Sequence, residues 1–124
     1  MVQVSQKQFE TIVANAIDHI PKPYSDHLQN VAFIIENEPT PVQADQLGLH
    51  CNALLFGLYE GTPLPRRFGV TKLLPDKITV FKKPLEFISQ DLADLKKRVK
   101  NTVWHEVAHY YGLDHKRIHE LENK

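Results

Sequence analysis

The stretch SQDLADLKKRVKNTVWHEVAHYYGLDH, residues 89–115, decides the fold. Within it Leu92, Leu95, Val99, Val103, Val107 and Tyr111 recur every three or four residues, the period of one buried helix face. Gly112 closes the run, and glycine readily takes the left-handed backbone conformation that ends helices. The spacing therefore predicts one long helix from about Ser89 to Gly112. On such a helix His105 and His109 stand one above the other, roughly 5–6 Å apart at Cβ, so both can reach a single ion through Zn–N bonds of about 2 Å. Glu106 sits one residue round from His105, out of line with the ligands, where a carboxylate can approach a water held by the metal without binding the metal itself. A helix that simply continued would carry residue 115 away, whereas a turn at Gly112 lets His115 supply a third ligand. Three protein ligands leave a fourth position open, which distinguishes a catalytic zinc site from a closed structural one.

Working outward, Phe9, Ile12, Val13, Ala16, Ile17 and Ile20 mark a first helix, with Ser5 and Gln8 as its capping box and Pro21 and Pro23 as its stop. The β-branched and aromatic run after Asn30 predicts a strand at about Val31 to Glu36, and PTPVQADQLG reads as a loop. LLFGLYEG and KITVFKKP predict two further strands, joined by the proline-rich loop TPLPRRFGVTKLLPD. Lys82, Lys83 and Pro84 look like protection of an exposed strand edge, and that same edge offers an extended peptide a place to pair. A short last helix in DHKRIHELENK would turn Ile118 and Leu121 inward. Helix, strands, long helix and short helix read as α+β, a small sheet packed on helices within a single domain spanning residues 1–124.

The composition narrows the partners. Fifteen basic and fifteen acidic residues cancel, so no net field draws in nucleic acid or an anionic membrane, and neither is expected as a partner. The start MVQVSQKQFETIVANAIDHI has no basic segment followed by an unbroken apolar one, and nowhere do eighteen apolar residues run together, so neither a signal peptide nor a membrane span is expected. Cys51 is alone, which excludes an internal disulfide framework and points to a cytoplasmic protein. At 124 residues the chain can bury a core without a metal staple, so the predicted ion is not needed for folding.

Other residues invite roles and have simpler readings. His50 and Cys51 suggest a thiol dyad, but strand neighbours point to opposite faces, and Cys51 reads as a small core residue. KKRVK, residues 96–100, reads as a solvated helix face supported by pairs such as Asp94 with Lys97. Glu60 is a candidate partner for a ligand histidine, set against a plain surface carboxylate. Asp114 and His119 compete with His115 as ligands, but only His115 has the matching offset, and His119 reads as a surface residue. Trp104 reads as packing beside the site.

The string His105, Glu106, His109, Gly112, His115 resembles the extended zinc motif of metzincin proteases, which continue to a methionine turn; here the one methionine is Met1. The chain is more similar to the minimal bacterial zincin-like metallopeptidases, short cytoplasmic domains with the zinc motif near the C-terminus. FETIVANAIDHIP, LLFGLYEGTPLPRR, LPDKITVFKKPLE and VKNTVWHEVAHYYGLDHKRIHEL carry the likeness, in that order along the chain. In that family the residue aligned with His115 is commonly aspartate. A third imidazole makes the site more positive and should lower the pKa of a bound water further.

The resemblance implies a zincin core, with the active-site helix under a small mixed sheet, and zinc as cofactor. The expected chemistry is peptide hydrolysis. Zinc brings the pKa of its water to about 7, and Glu106 takes that proton during attack and returns it to the leaving amine. The oxyanion needs a further donor, for which Tyr110, Tyr111 or a backbone amide are candidates, although Tyr111 lies on the apolar stripe. The alternative is a zincin-like module that binds metal or peptide without turnover, favoured by the chain's small size. Glu106 separates the two, because a structural site has no use for it. The sequence names neither a particular substrate nor an oligomeric state.

Overall fold

The computed structural model describes residues 1–22, 24–26, 28, 30–43, 55–61, 76–113 and 116–117. Helix α1 (Gln6–Asp18) starts as the capping box predicts: Ser5 is extended and its Oγ accepts the Gln8 amide at 3.1 Å. Its buried stripe is Phe9, Ile12, Val13 and Ala16. Strand β1 (Val31–Glu36) has the bounds its β-branched run predicts. Strands β2 (Gly57–Glu60) and β3 (Asp76–Phe81) complete a mixed sheet in the order β1-β3-β2. β1 runs parallel to β3, from Val31 opposite Asp76 to Glu36 opposite Phe81. β2 runs antiparallel to β3, from Gly57 opposite Val80 to Glu60 opposite Lys77.

Three local expectations need correcting. The KITVFKKP segment is the central strand and not an edge: β3 is paired on both sides, and Asp76, Ile78, Thr79, Val80 and Phe81 are all buried. Lys82, Lys83 and Pro84 leave the sheet altogether and open a second helix, α2 (Lys82–Ile88). Pro84 falls within the first turn, where its missing N–H would have had no intrahelical partner. The two lysines therefore protect no strand edge. Lys82 lies 3.4 Å from Glu86 and Lys83 lies 3.5 Å from Glu38. Glu86 also accepts the Val4 amide at 2.8 Å, which fastens the N-terminal segment to α2. Third, residues 41–43 of the supposed loop are helical. Thr40 and Gln43 cap this turn reciprocally, Gln43 N–H to Thr40 Oγ1 at 3.1 Å and Thr40 N–H to Gln43 Oε1 at 2.9 Å.

The long helix α3 (Leu92–Tyr110) organises the rest. Its N-cap Asp91 accepts the Asp94 amide at 2.8 Å, and Asp94 accepts the Gln90 amide at 3.0 Å. Leu95, Val99, Val103 and Val107 are fully buried, while Leu92 and Tyr111, at the ends of the predicted stripe, are only partly buried. α3 packs against α1, α2 and the β2–β3 side of the sheet. One cluster joins α1, β3, α2 and α3 through Phe9, Ile12, Ile78, Val80, Leu85 and the α3 stripe. Among the described residues no helix is long and apolar enough to cross a membrane.

Candidate metal centre

α3 turns its valine stripe to the core and brings His105 and His109 out beside it, both half-buried. Their rings stand edge to face with centroids 4.7 Å apart, as the four-residue spacing predicts. Glu106 completes the cluster: one potential ligand atom from each of His105, Glu106 and His109 lies within 4.8 Å of the others. Two imidazoles and a carboxylate at this separation suit a borderline cation such as zinc, so the residues present fit the ion that the motif implies.

The helix ends where the sequence places its stop. Gly112 has φ +74°. Its amide donates to the His109 carbonyl at 2.9 Å, and the Leu113 amide donates to the Ala108 carbonyl at 3.0 Å. This pair of bonds is a Schellman motif, which turns the chain sharply one residue past the helix. His115 lies outside the described residues, as do Asp114, Ile118, His119, Leu121, His50 and Cys51.

Glu106 is more enclosed than a solvent-facing base, with 8% of its surface exposed. Burial pushes its carboxyl up to about 7, against the opposing pull of the Tyr59 amide. That amide, from β2, donates to Oε1 at 2.9 Å. β2 can come this close because residue 57 has no side chain: a Cβ there would stand 2.7 Å from Thr102 Cγ2 and 3.2 Å from Glu106 Cγ. The Tyr59 hydroxyl donates to Asp76 Oδ2 at 2.7 Å, tying β2 to the buried start of β3. Sequence reasoning missed all three features. A backbone amide leaves no trace in residue identity, and the apolar run around Gly57 gives no hint of which element will cross it. The acid at residue 76, beside the proline of LLPD, was the one readable cue.

Several candidates fall elsewhere. Tyr110 is fully buried, edge to face with Tyr59 and Tyr111 at centroid distances of 6.2 and 5.0 Å. The Tyr111 hydroxyl donates to the Tyr24 carbonyl. Burial and then the neighbouring phenols Tyr110 and Tyr24 hold the Tyr111 hydroxyl above its ordinary pKa, so it stays a protonated packing group. The Tyr111 hydroxyl is thus engaged with Tyr24 and not offered to an oxyanion. The Glu60 carboxylate faces Lys77 at 3.7 Å and the Gln43 amide at 3.5 Å, in place of the histidine partner considered for it. Asp94 makes its direct contact with Arg98 at 3.0 Å, and Lys97 acts on it as a neighbouring charge. The Gln90 amide and then Arg98 hold the Asp94 carboxyl below its ordinary pKa. Trp104 packs as expected, edge to face with Tyr24 at 5.0 Å. A groove of about 180 Å³ between α1 and α3, lined by Ile12, Asn15, Ala16, His19, Lys96 and Lys100, contains no residue of the motif.

No curated protein matches the chain. A family model described as zincin-like metallopeptidase does match, over residues 28–124, which take in all three strands, α2, α3 and the histidine motif. With the paired histidines, the adjacent glutamate and a small mixed sheet over the helix that carries them, the chain belongs to the zincin-like metallopeptidase family.

Proposed function

We propose that this protein is a zinc-dependent peptidase in which His105, His109 and His115 hold the metal and Glu106 is the general base. The observation that carries the reading is the gathering of potential ligand atoms of His105, Glu106 and His109 within 4.8 Å of one another on α3, immediately before the turn at Gly112. His115 enters on its spacing alone. Zinc bound there would supply a Lewis acid that polarises the scissile carbonyl and makes its water acidic enough to ionise near neutral pH. Glu106 accepts the proton of the attacking water and passes it to the leaving amine nitrogen. A carboxyl raised toward 7 by burial suits a group that must both take and give a proton near neutrality. With β3 paired on both sides among the described residues, the KITVFKK edge considered for an extended peptide is taken. The lone Cys51 supports a cytoplasmic setting.

The test is Glu106→Gln. It should bind about as much zinc as the wild type and lose roughly 10²–10⁴-fold in turnover, the usual weight of a general base. Elemental analysis of protein purified without a metal-affinity tag, beside His109→Ala, should find one zinc per chain that the variant lacks. A second reading, a zincin-like module that binds without turnover, is favoured by the enclosure of Glu106 and its bond to Tyr59. Full retention of zinc without hydrolysis of any member of a peptide library would select it.

A further inference from the structure

Distance alone does not separate a base from a ligand in this site. Glu106 is next to His105 in sequence, and its carboxylate lies as close to the two imidazoles as a third ligand would. Carboxylate oxygens bind zinc readily, at about 2.0–2.2 Å. The chain therefore needs something that keeps this carboxylate for proton transfer.

We propose that the backbone amide of Tyr59 is that device: by holding Oε1 of Glu106 it keeps the carboxylate from joining His105 and His109 on the metal. The inference rests on the peptidase reading and adds a positioning group to it. The bond is 2.9 Å long and reaches a carboxylate, so it is of the stronger, charge-assisted kind when Glu106 is ionised. Its anchor is rigid. β2 pairs with β3, the Tyr59 hydroxyl is bonded to Asp76, and the missing side chain at Gly57 lets the strand settle against Thr102 and Glu106. The amide also points the right way. Because the Phe56 carbonyl accepts from Phe81, alternation along the strand turns the N–H of residue 59 outward, to the edge where Glu106 stands.

That outward direction makes the amide removable. Proline is tolerated on an edge strand where its missing N–H is not used by the sheet, and the residue before it is already extended. Tyr59→Pro deletes the tether and the phenol together, while Tyr59→Ala deletes the phenol alone, so their difference isolates the amide. Cobalt(II), substituted for zinc, reports the ligand set through its d–d absorption whether or not the protein hydrolyses anything. The expected result is one spectrum shared by the wild type, Glu106→Gln and Tyr59→Ala. Tyr59→Pro should give a different one, and Tyr59→Pro with Glu106→Gln should return to the first. Turnover should fall about 10–100-fold in Tyr59→Pro relative to Tyr59→Ala, the range seen when a supporting contact to a metal site is removed.

A changed spectrum in Glu106→Gln alone would show the carboxylate already on the metal and overturn the inference. So would an unchanged spectrum in a folded Tyr59→Pro. Should the proline variant not fold, Gly57→Ala, whose added Cβ would press on Thr102 and on Glu106 Cγ, must give the same spectral change or the inference falls. Absence of turnover in the wild type would defeat the peptidase reading and leave the spectral comparison intact.

Discussion

Glu106 sits in a pocket of protein where its charged form is poorly solvated, and that couples folding to pH in the absence of metal. Burial raises its carboxyl from the ordinary 4.5 to about 7. The folded state then binds the proton more tightly than the unfolded one, so the resulting stabilisation is complete below about pH 4.5 and disappears as pH rises through about 7. The shift corresponds to at most about 3 kcal/mol. Urea denaturation in the presence of a chelator should show the wild type losing stability between pH 5 and pH 8 relative to Glu106→Gln, which carries no such proton. The spacing of His105, Glu106 and His109 was legible because a helix makes it local: four residues fix one face. The partner of Glu106 was not legible, since Tyr59 is 47 residues away and offers a group that every residue except proline has. Glu60 is the plain surface carboxylate set against a histidine partner, although nothing in GLYEG reveals that Lys77 will stand opposite it.

At the scale of elements, the stop of α3 was readable and the start of α2 was not. Gly112 announces a left-handed residue, and its φ of +74° bears this out. A side chain there should therefore cost about 1–2 kcal/mol, and Gly112→Ala should lower the thermal midpoint measurably. If the turn delivers His115 to the metal, the same variant should also weaken zinc binding by calorimetry. The start of α2 lacks such a mark, since Phe81 at its N-cap carries no polar group and Pro84 reads as a terminator although it belongs to the first turn. The place of β3 was hidden for a different reason. Local alternation tells a strand from a helix but says nothing of its neighbours, and only the burial of both faces shows that it lies in the centre.

Over the whole molecule, core and site share α3, and this separates two kinds of damage. Leu95, Val99, Val103 and Val107 belong to a continuous apolar cluster that needs no ion. Leu95→Ala should accordingly cost about 2–5 kcal/mol in denaturant titrations, whether or not metal is present. Zinc, by contrast, should raise stability only as a ligand does, by about 2.7 kcal/mol at a hundredfold excess over its Kd. A chelator should thus lower the melting temperature without unfolding the protein at room temperature, and His109→Ala should lose the zinc-dependent part alone. The α+β class was legible at this scale, because helical and alternating segments are each marked by their own period.

The strand order has a consequence for biosynthesis. β1 and β2 both leave the ribosome before β3, the strand with which each of them pairs. Until residues 76–81 emerge, the nascent chain carries two apolar segments with unmet backbone groups, the condition in which chains cohere wrongly or recruit chaperones. Helix α3 is translated later still, and the bond from the Tyr59 amide to Glu106 spans 47 residues of chain. The contact that seats Glu106 against β2 therefore forms only after all three strands have been made.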